Sequence, residues 1–109
     1  MDAIELVGSW NAASGDSNLE FKADGTYIHV MSLEMPMTYT NLAIDDEGTY
    51  HVRDDIVTFT PTSGHYRRNG VDEGFDKKVR EQRVRLETRA DQSGFDLVLD
   101  DGVWTKVVA

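Results

Sequence analysis

Three histidines, a tyrosine-arginine pair and a methionine-rich segment are the side chains of this sequence best suited to chemistry. Imidazole titrates near neutral pH and coordinates metals through a ring nitrogen, so a histidine on a strand can serve as a general base or as a ligand. His29 shares the alternation of Tyr27, Met31 and Leu33 and is expected to face inward. His51 alternates against Tyr50 and Val52 and is expected to face solvent, which argues against a three-histidine zinc site; no metal is expected. His65 follows Ser63-Gly64, in a stretch that must bend. The segment from Thr60 to Gly70 concentrates polar donors, an aromatic ring and cations, and it predicts a bulged or bent strand. There Tyr66 can donate to, and Arg67 can pair with, a carboxylate or enolate, which would polarise a substrate carbonyl. If the chain is an enzyme, its expected catalytic residues are Tyr66, Arg67, His29 and His65. The competing reading makes His29 a core or rim histidine and Tyr66 and Arg67 structural.

Met31, Met35 and Met37 stand near His29 and are interrupted by Pro36. Thioethers with an imidazole can hold Cu(I). The simpler reading is an adaptable apolar lid over a cavity, formed by residues 31–39, with residues 69–75 as a second mobile edge and Phe75 as a latch on the barrel or on a partner. Acids cluster at Asp45-Asp46-Glu47, Asp54-Asp55, Asp72-Glu73 and Asp100-Asp101. Neighbours on a strand face opposite sides, so these runs are read as turns rather than catalytic carboxylate pairs. Glu34 closes an apolar strand and is a candidate for a cavity rim.

These side chains must be positioned by strands. Asp24-Gly25-Thr26-Tyr27, Glu47-Gly48-Thr49-Tyr50 and Asp101-Gly102-Val103-Trp104 each place an acid and a glycine before a β-branched residue and an aromatic, and each is read as a turn releasing a strand. Period-two alternation predicts strands over 7–13, 18–23, 26–34, 48–54, 56–68, 79–90, 95–100 and 103–108. Lys, Arg and Glu in 77–90 favour a helix, but Val84, Leu86 and Thr88 alternate with Arg83, Arg85 and Glu87, so a strand is expected. Asp2 is expected to cap one helical turn over 2–6. About eight short antiparallel strands leave two edges, and closing them into an up-and-down barrel removes both. The expected fold is therefore all-β, one barrel domain over residues 1–109, with an open sandwich or half-barrel pairing with a second copy as the alternative.

Composition bounds the function. The 109 residues carry a net charge of −9, no cysteine and no apolar run long enough for a membrane helix, so disulfides and cysteine chemistry are excluded. No cofactor is expected. Residues 66–90 hold eight of the eleven bases, but Asp72, Glu73, Asp76, Glu81 and Glu87 interleave with them, and the rest of the chain is acidic. Nucleic acid is not an expected partner. The opening segment lacks the pattern of a secretory leader, which predicts a cytoplasmic location.

Gly8-Ser9-Trp10 matches the G-x-W motif of the calycin superfamily, and the sequence resembles its lipocalin-like members. Phe21-Lys22-Ala23-Asp24-Gly25-Thr26-Tyr27 is similar to the second hairpin of small bacterial lipocalin-like domains, and Gly48 to Phe59 is similar to a later one. The resemblance covers most of the chain, although the chain is shorter than lipocalins and lacks their T-D-Y-type motif. It implies a barrel with an apolar cavity for a small hydrophobic molecule, and it assigns to Lys106 the cation that covers the first-strand tryptophan. Such barrels act as carriers, as protein inhibitors and as cofactor-free isomerases or cyclases.

The expected ligand-binding residues are Trp10, Phe21, Tyr27, Met31, Tyr50, Phe59, Leu86, Phe95 and Trp104. An eight-stranded barrel holds either its own side chains or one small ligand. Three functions follow: binding of a small, partly hydrophobic organic molecule; a cofactor-free cyclase or isomerase acting in the same cavity, as in natural product biosynthesis; and an interaction module whose barrel is filled by its own rings.

Overall fold

The alternating pattern produces nine antiparallel strands in the computed structural model, which describes residues 3–89, 94–100 and 102–107. They are β1 (Gly8–Ala12), β2 (Ser17–Phe21), β3 (Thr26–Met35), β4 (Thr40–Arg53), β5 (Ile56–Arg68), β6 (Val71–Asp72), β7 (Arg80–Thr88), β8 (Phe95–Leu99) and β9 (Gly102–Lys106). Pairing of β4 with β5 and of β1 with β9 closes eight of them into an up-and-down barrel, and β6 is appended to the far end of β5. Closure leaves the eight barrel strands without the exposed edges an open sheet would carry. Within the segment where a helix competed, Arg80–Thr88 form a strand, as the alternation predicts. Among the described residues no helix is long and apolar enough to cross a membrane.

Local chemistry sets the hairpins. Between β2 and β3, the Asp24 carboxylate accepts from the Thr26 backbone N–H at 2.9 Å and from the Thr26 hydroxyl, and Gly25 supplies a φ of 88°. Those bonds hold the Asp24 carboxyl below its ordinary pKa, the side-chain bond from Thr26 contributing most. Between β3 and β4 a 3-10 turn, Pro36–Thr38, ends on Tyr39 in the left-handed region. β2 leaves β3 at Met31 and β7 leaves β5 at Phe59, so β3, β4 and β5 continue as a three-stranded arm that ends in this turn. The segment expected to be a lid is therefore the hairpin tip of a regular sheet.

Two expectations are corrected. Glu47-Gly48-Thr49 is not a turn, and Asp45-Asp46-Glu47 is not a loop; all lie inside β4, which begins at Thr40 rather than near 48. Glycine is required at 48 because a Cβ there would stand 2.1 Å from the Thr60 carbonyl oxygen. At this level the ladder is irregular: Gly48 pairs with Pro61 and Glu47 with Ser63, leaving Thr62 as the extra residue of a β-bulge. The helical turn expected over 2–6 is a 3-10 turn, Ala3–Leu6. Asp2, its expected cap, and Asp101 of the third expected turn lie outside the described residues.

The core fills one end of the barrel with rings. Phe21 meets Tyr50 edge-on at 4.8 Å between centroids and Phe59 at 5.9 Å, and Tyr27 meets Phe59 edge-on at 5.0 Å. Val57, Val84, Leu97 and Leu99 complete this packing. Trp10 is buried; its indole N–H donates to the Leu6 carbonyl at 2.8 Å, and the Lys106 ammonium lies 5.5 Å from the centre of its ring.

Candidate functional site

The only buried charged side chain among the described residues is Asp46, 3% exposed. A carboxylate taken out of water needs compensating donors, and two strands, β3 and β7, supply them. Asp46 is the direct cross-strand partner of His29. One carboxylate oxygen accepts from His29 Nδ1 at 2.9 Å. The other accepts from the Tyr27 hydroxyl at 2.7 Å and from the Arg80 guanidinium at 3.1 Å. Burial alone would raise the Asp46 pKa, but the hydrogen bonds from His29 and Tyr27 and then the charges of His29 and Arg80 outweigh it, so the carboxyl sits below its ordinary value of 3.8. Tyr27 moves oppositely: burial first, then the adjoining Asp46, push its hydroxyl well above 10.0 and keep it a donor.

With Asp46 ionised, the proton in the shared contact belongs to His29 Nδ1, so in the neutral imidazole it is Nε2 that carries the lone pair. Nε2 has no hydrogen-bond partner among the described residues. His29, Asp46 and Arg80 all line a cleft of about 550 Å³ at the mouth of the barrel, walled on its apolar side by Met31, Ile44, Phe75, Val103 and Trp104. His29, Arg80 and Trp104 also border a narrow recess of about 20 Å³ that reaches Leu19, Phe59 and Gln82. The Gln82 Oε1 atom is buried and has no donor among the described residues. The Arg80 guanidinium lies 5.7 Å from the centre of the Phe59 ring, which sets the cation between the aromatic core and the cleft.

Phe75 reaches the site from the segment between β6 and β7. Its ring covers the bare backbone of Gly64, where a Cβ would stand 2.8 Å from the ring. The latch role read from the sequence is thus directed at the barrel itself.

No family model, curated protein or solved structure matches the chain. The site is therefore read from its own geometry.

Of the four residues expected to do catalysis, the structure places only His29 at this cleft. The Thr62 bulge divides the others. Before it, Val57, Phe59 and Pro61 face the interior; after it, Gly64 and Tyr66 do, opposite Asp46 and Ile44. His65 and Arg67 fall on the outer face, where His65 Nδ1 lies 3.0 Å and an Arg67 nitrogen 3.3 Å from Asp45. Tyr66 faces inward but does not line the cleft, and its hydroxyl accepts from Arg68 at 3.3 Å. His51 is exposed. Among the described residues no three metal-ligating side chains converge.

The nine expected ligand contacts also divide. Met31 and Trp104 line the cleft and Phe59 the recess. Phe21, Tyr27 and Tyr50 are packed in the core. Trp10, Leu86 and Phe95 border a separate depression of about 190 Å³, with Phe95 itself half exposed.

Residues not singled out as functional from the sequence supply much of the site. Arg80 and Gln82 share the parity of buried Val84, and their cross-strand partners are the inward Phe59 and Val57. Asp46 shares the parity of inward Tyr50. Strand alternation carried that signal, but reading the acidic run as a turn concealed it for Asp46.

Proposed function

We propose that the barrel binds a small, partly hydrophobic organic molecule at its open mouth. The observation that carries this reading is the cleft of about 550 Å³ in which the apolar walls of Met31, Ile44, Phe75 and Trp104 surround one polar cluster, His29, Asp46 and Arg80. Ligand sites typically combine such a volume with mostly apolar walls and a few convergent polar groups. Apolar burial supplies affinity, while Arg80 and Gln82 orient the ligand by offering a cation and an unsatisfied acceptor. The Lys106 ammonium over the Trp10 ring is the arrangement that the resemblance to lipocalin-like calycins implies, and it supports placing the chain among them.

Native mass spectrometry of freshly expressed protein should show an organic adduct that denaturation releases. Anilinonaphthalene sulfonate, an anionic aromatic probe, should bind with one-to-one saturation and at least about tenfold more weakly to Arg80→Glu. Protein that carries no adduct and binds the probe without saturation would overturn the reading.

A further inference from the structure

Building on that binding site, we propose that the mouth catalyses proton transfer at a carbon beside a carbonyl group, with His29 as general base and Arg80 holding the oxygen that becomes an enolate. The substrate class is an enolisable ketone on an apolar or aromatic body, and the reaction class is cofactor-free isomerisation.

The Asp46 carboxylate binds His29 through one oxygen and Arg80 through the other, at 2.9 and 3.1 Å. It thereby holds a base and a cation on one wall of one cleft. In the reaction the carbon–hydrogen bond breaks, the proton passes to His29 Nε2, and the electron pair forms a carbon–carbon double bond as the carbonyl oxygen takes the negative charge. Two ion pairs result: imidazolium with Asp46, and enolate with Arg80. When the proton on Nε2 is replaced from solvent before it returns to the original carbon the result is exchange, and return of the proton to a conjugated carbon moves a double bond. Atoms and electrons balance with no co-reactant. Asp46 is a positioning residue that fixes the imidazole tautomer and stabilises its protonated form.

The surroundings favour proton transfer over acyl transfer. Ser14 and Ser17 line the same cleft, but neither hydroxyl bonds to His29 among the described residues, so no serine–histidine relay is set up. The Phe59, Trp104 and Leu19 walls around the recess exclude water from one side of the imidazole, where charge stabilisation by Arg80 is stronger than in bulk water. The Gln82 acceptor suits a hydroxyl on the substrate or the enol form.

The test uses β-tetralone, an aromatic ring fused to an enolisable ketone, in deuterium oxide. Proton NMR follows loss of the methylene signal between ring and carbonyl, and tryptophan fluorescence follows binding of the same ketone. The wild-type protein should accelerate exchange saturably, and a folded, ketone-binding His29→Gln should lose about a hundredfold or more of that rate. Imidazole added to His29→Ala should restore part of it, which a purely structural role would not allow. Arg80→Met should lower the rate at saturation while the ketone still binds, and Asp46→Asn should lower it without weakening binding. Saturable binding with exchange no faster than in His29→Gln overturns the proton-transfer proposal and leaves the binding reading intact. Absence of any saturable binding of the ketone overturns both.

Discussion

The two ends of the barrel are built from the same strands and carry opposite chemistry. At the closed end Phe21, Tyr27, Tyr50 and Phe59 fill the interior ring against ring. Toward the mouth the inward residues of those strands become polar: β3 passes from Tyr27 to His29, β4 from Gly48 to Asp46, and β7 from Gln82 to Arg80. Cross-strand pairing sets His29 opposite Asp46, and Arg80, paired with Phe59, reaches them through its side chain, so the change from ring to charge forms a layer across the barrel. The comparison teaches that a narrow barrel need not be either packed or hollow. Packing at one end supplies the rigidity against which a polar layer can be held at the other.

The largest effect should come from the packed end. Phe59→Ala removes the ring shared by Phe21, Tyr27 and Arg80 and should cost about 3–5 kcal/mol by denaturant unfolding. Gly48→Ala follows, at about 3 kcal/mol, because the new Cβ meets the backbone of Thr60 rather than a side chain that can move. A Gly48→Ala protein as stable as wild type would break the claim that β4 and β5 are held in close contact there. Asp46→Asn should cost about 2 kcal/mol through the lost charge-assisted bonds from Arg80 and His29.

The polar layer should also set the limits of pH stability. Because the folded Asp46 pKa is depressed, its contribution is fully present above its ordinary value of 3.8 and is lost as pH falls through the lower folded value. Unfolding midpoints measured below about pH 4 should therefore fall less steeply in Asp46→Asn than in wild type. The Tyr27 pKa is raised, so its contribution holds below 10.0 and is lost as pH rises beyond that; Tyr27→Phe should flatten the alkaline limb. The smallest stability effect is expected at the mouth itself. Arg80→Met keeps an apolar stem on Phe59 but takes the cation from the buried Asp46 carboxylate and should cost about 1–2 kcal/mol, while weakening an anionic aromatic probe about tenfold or more. A stability loss there as large as that of Phe59→Ala would remove the division between the two ends.

The barrel was legible because period-two alternation acts locally. β5 was read as 56–68 and is found there, and the disputed segment forms a strand over Arg80–Thr88 because Val84 pairs with Leu99 and Leu86 with Leu97 on shared faces. The first half of β4 was not legible. Its inward row there is Ile44, Asp46 and Gly48, a sequence with too little apolar alternation to declare a strand. The same cause hid the site: Asp46 is a polar residue at a core position, and only the Tyr27 hydroxyl, the long-range pairing with His29 and the reach of Arg80 compensate it. His29 was placed correctly on the inner face by parity alone. Tyr66, His65 and Arg67 could not be sorted from sequence, since the bulge that divides them depends on a glycine–backbone contact between two strands.

The extra residue at Thr62 gives that stretch of chain an evolutionary lever. Removing one amino acid there would make the ladder regular and keep Gly64 and Tyr66 inward, opposite Asp46 and Ile44. A regular ladder with Thr62 retained would instead turn the far half of β5 over and bring His65 and Arg67 to the inner face. Deletion is thus the conservative change, and a slip of register across the bulge is the one that would re-equip the entrance.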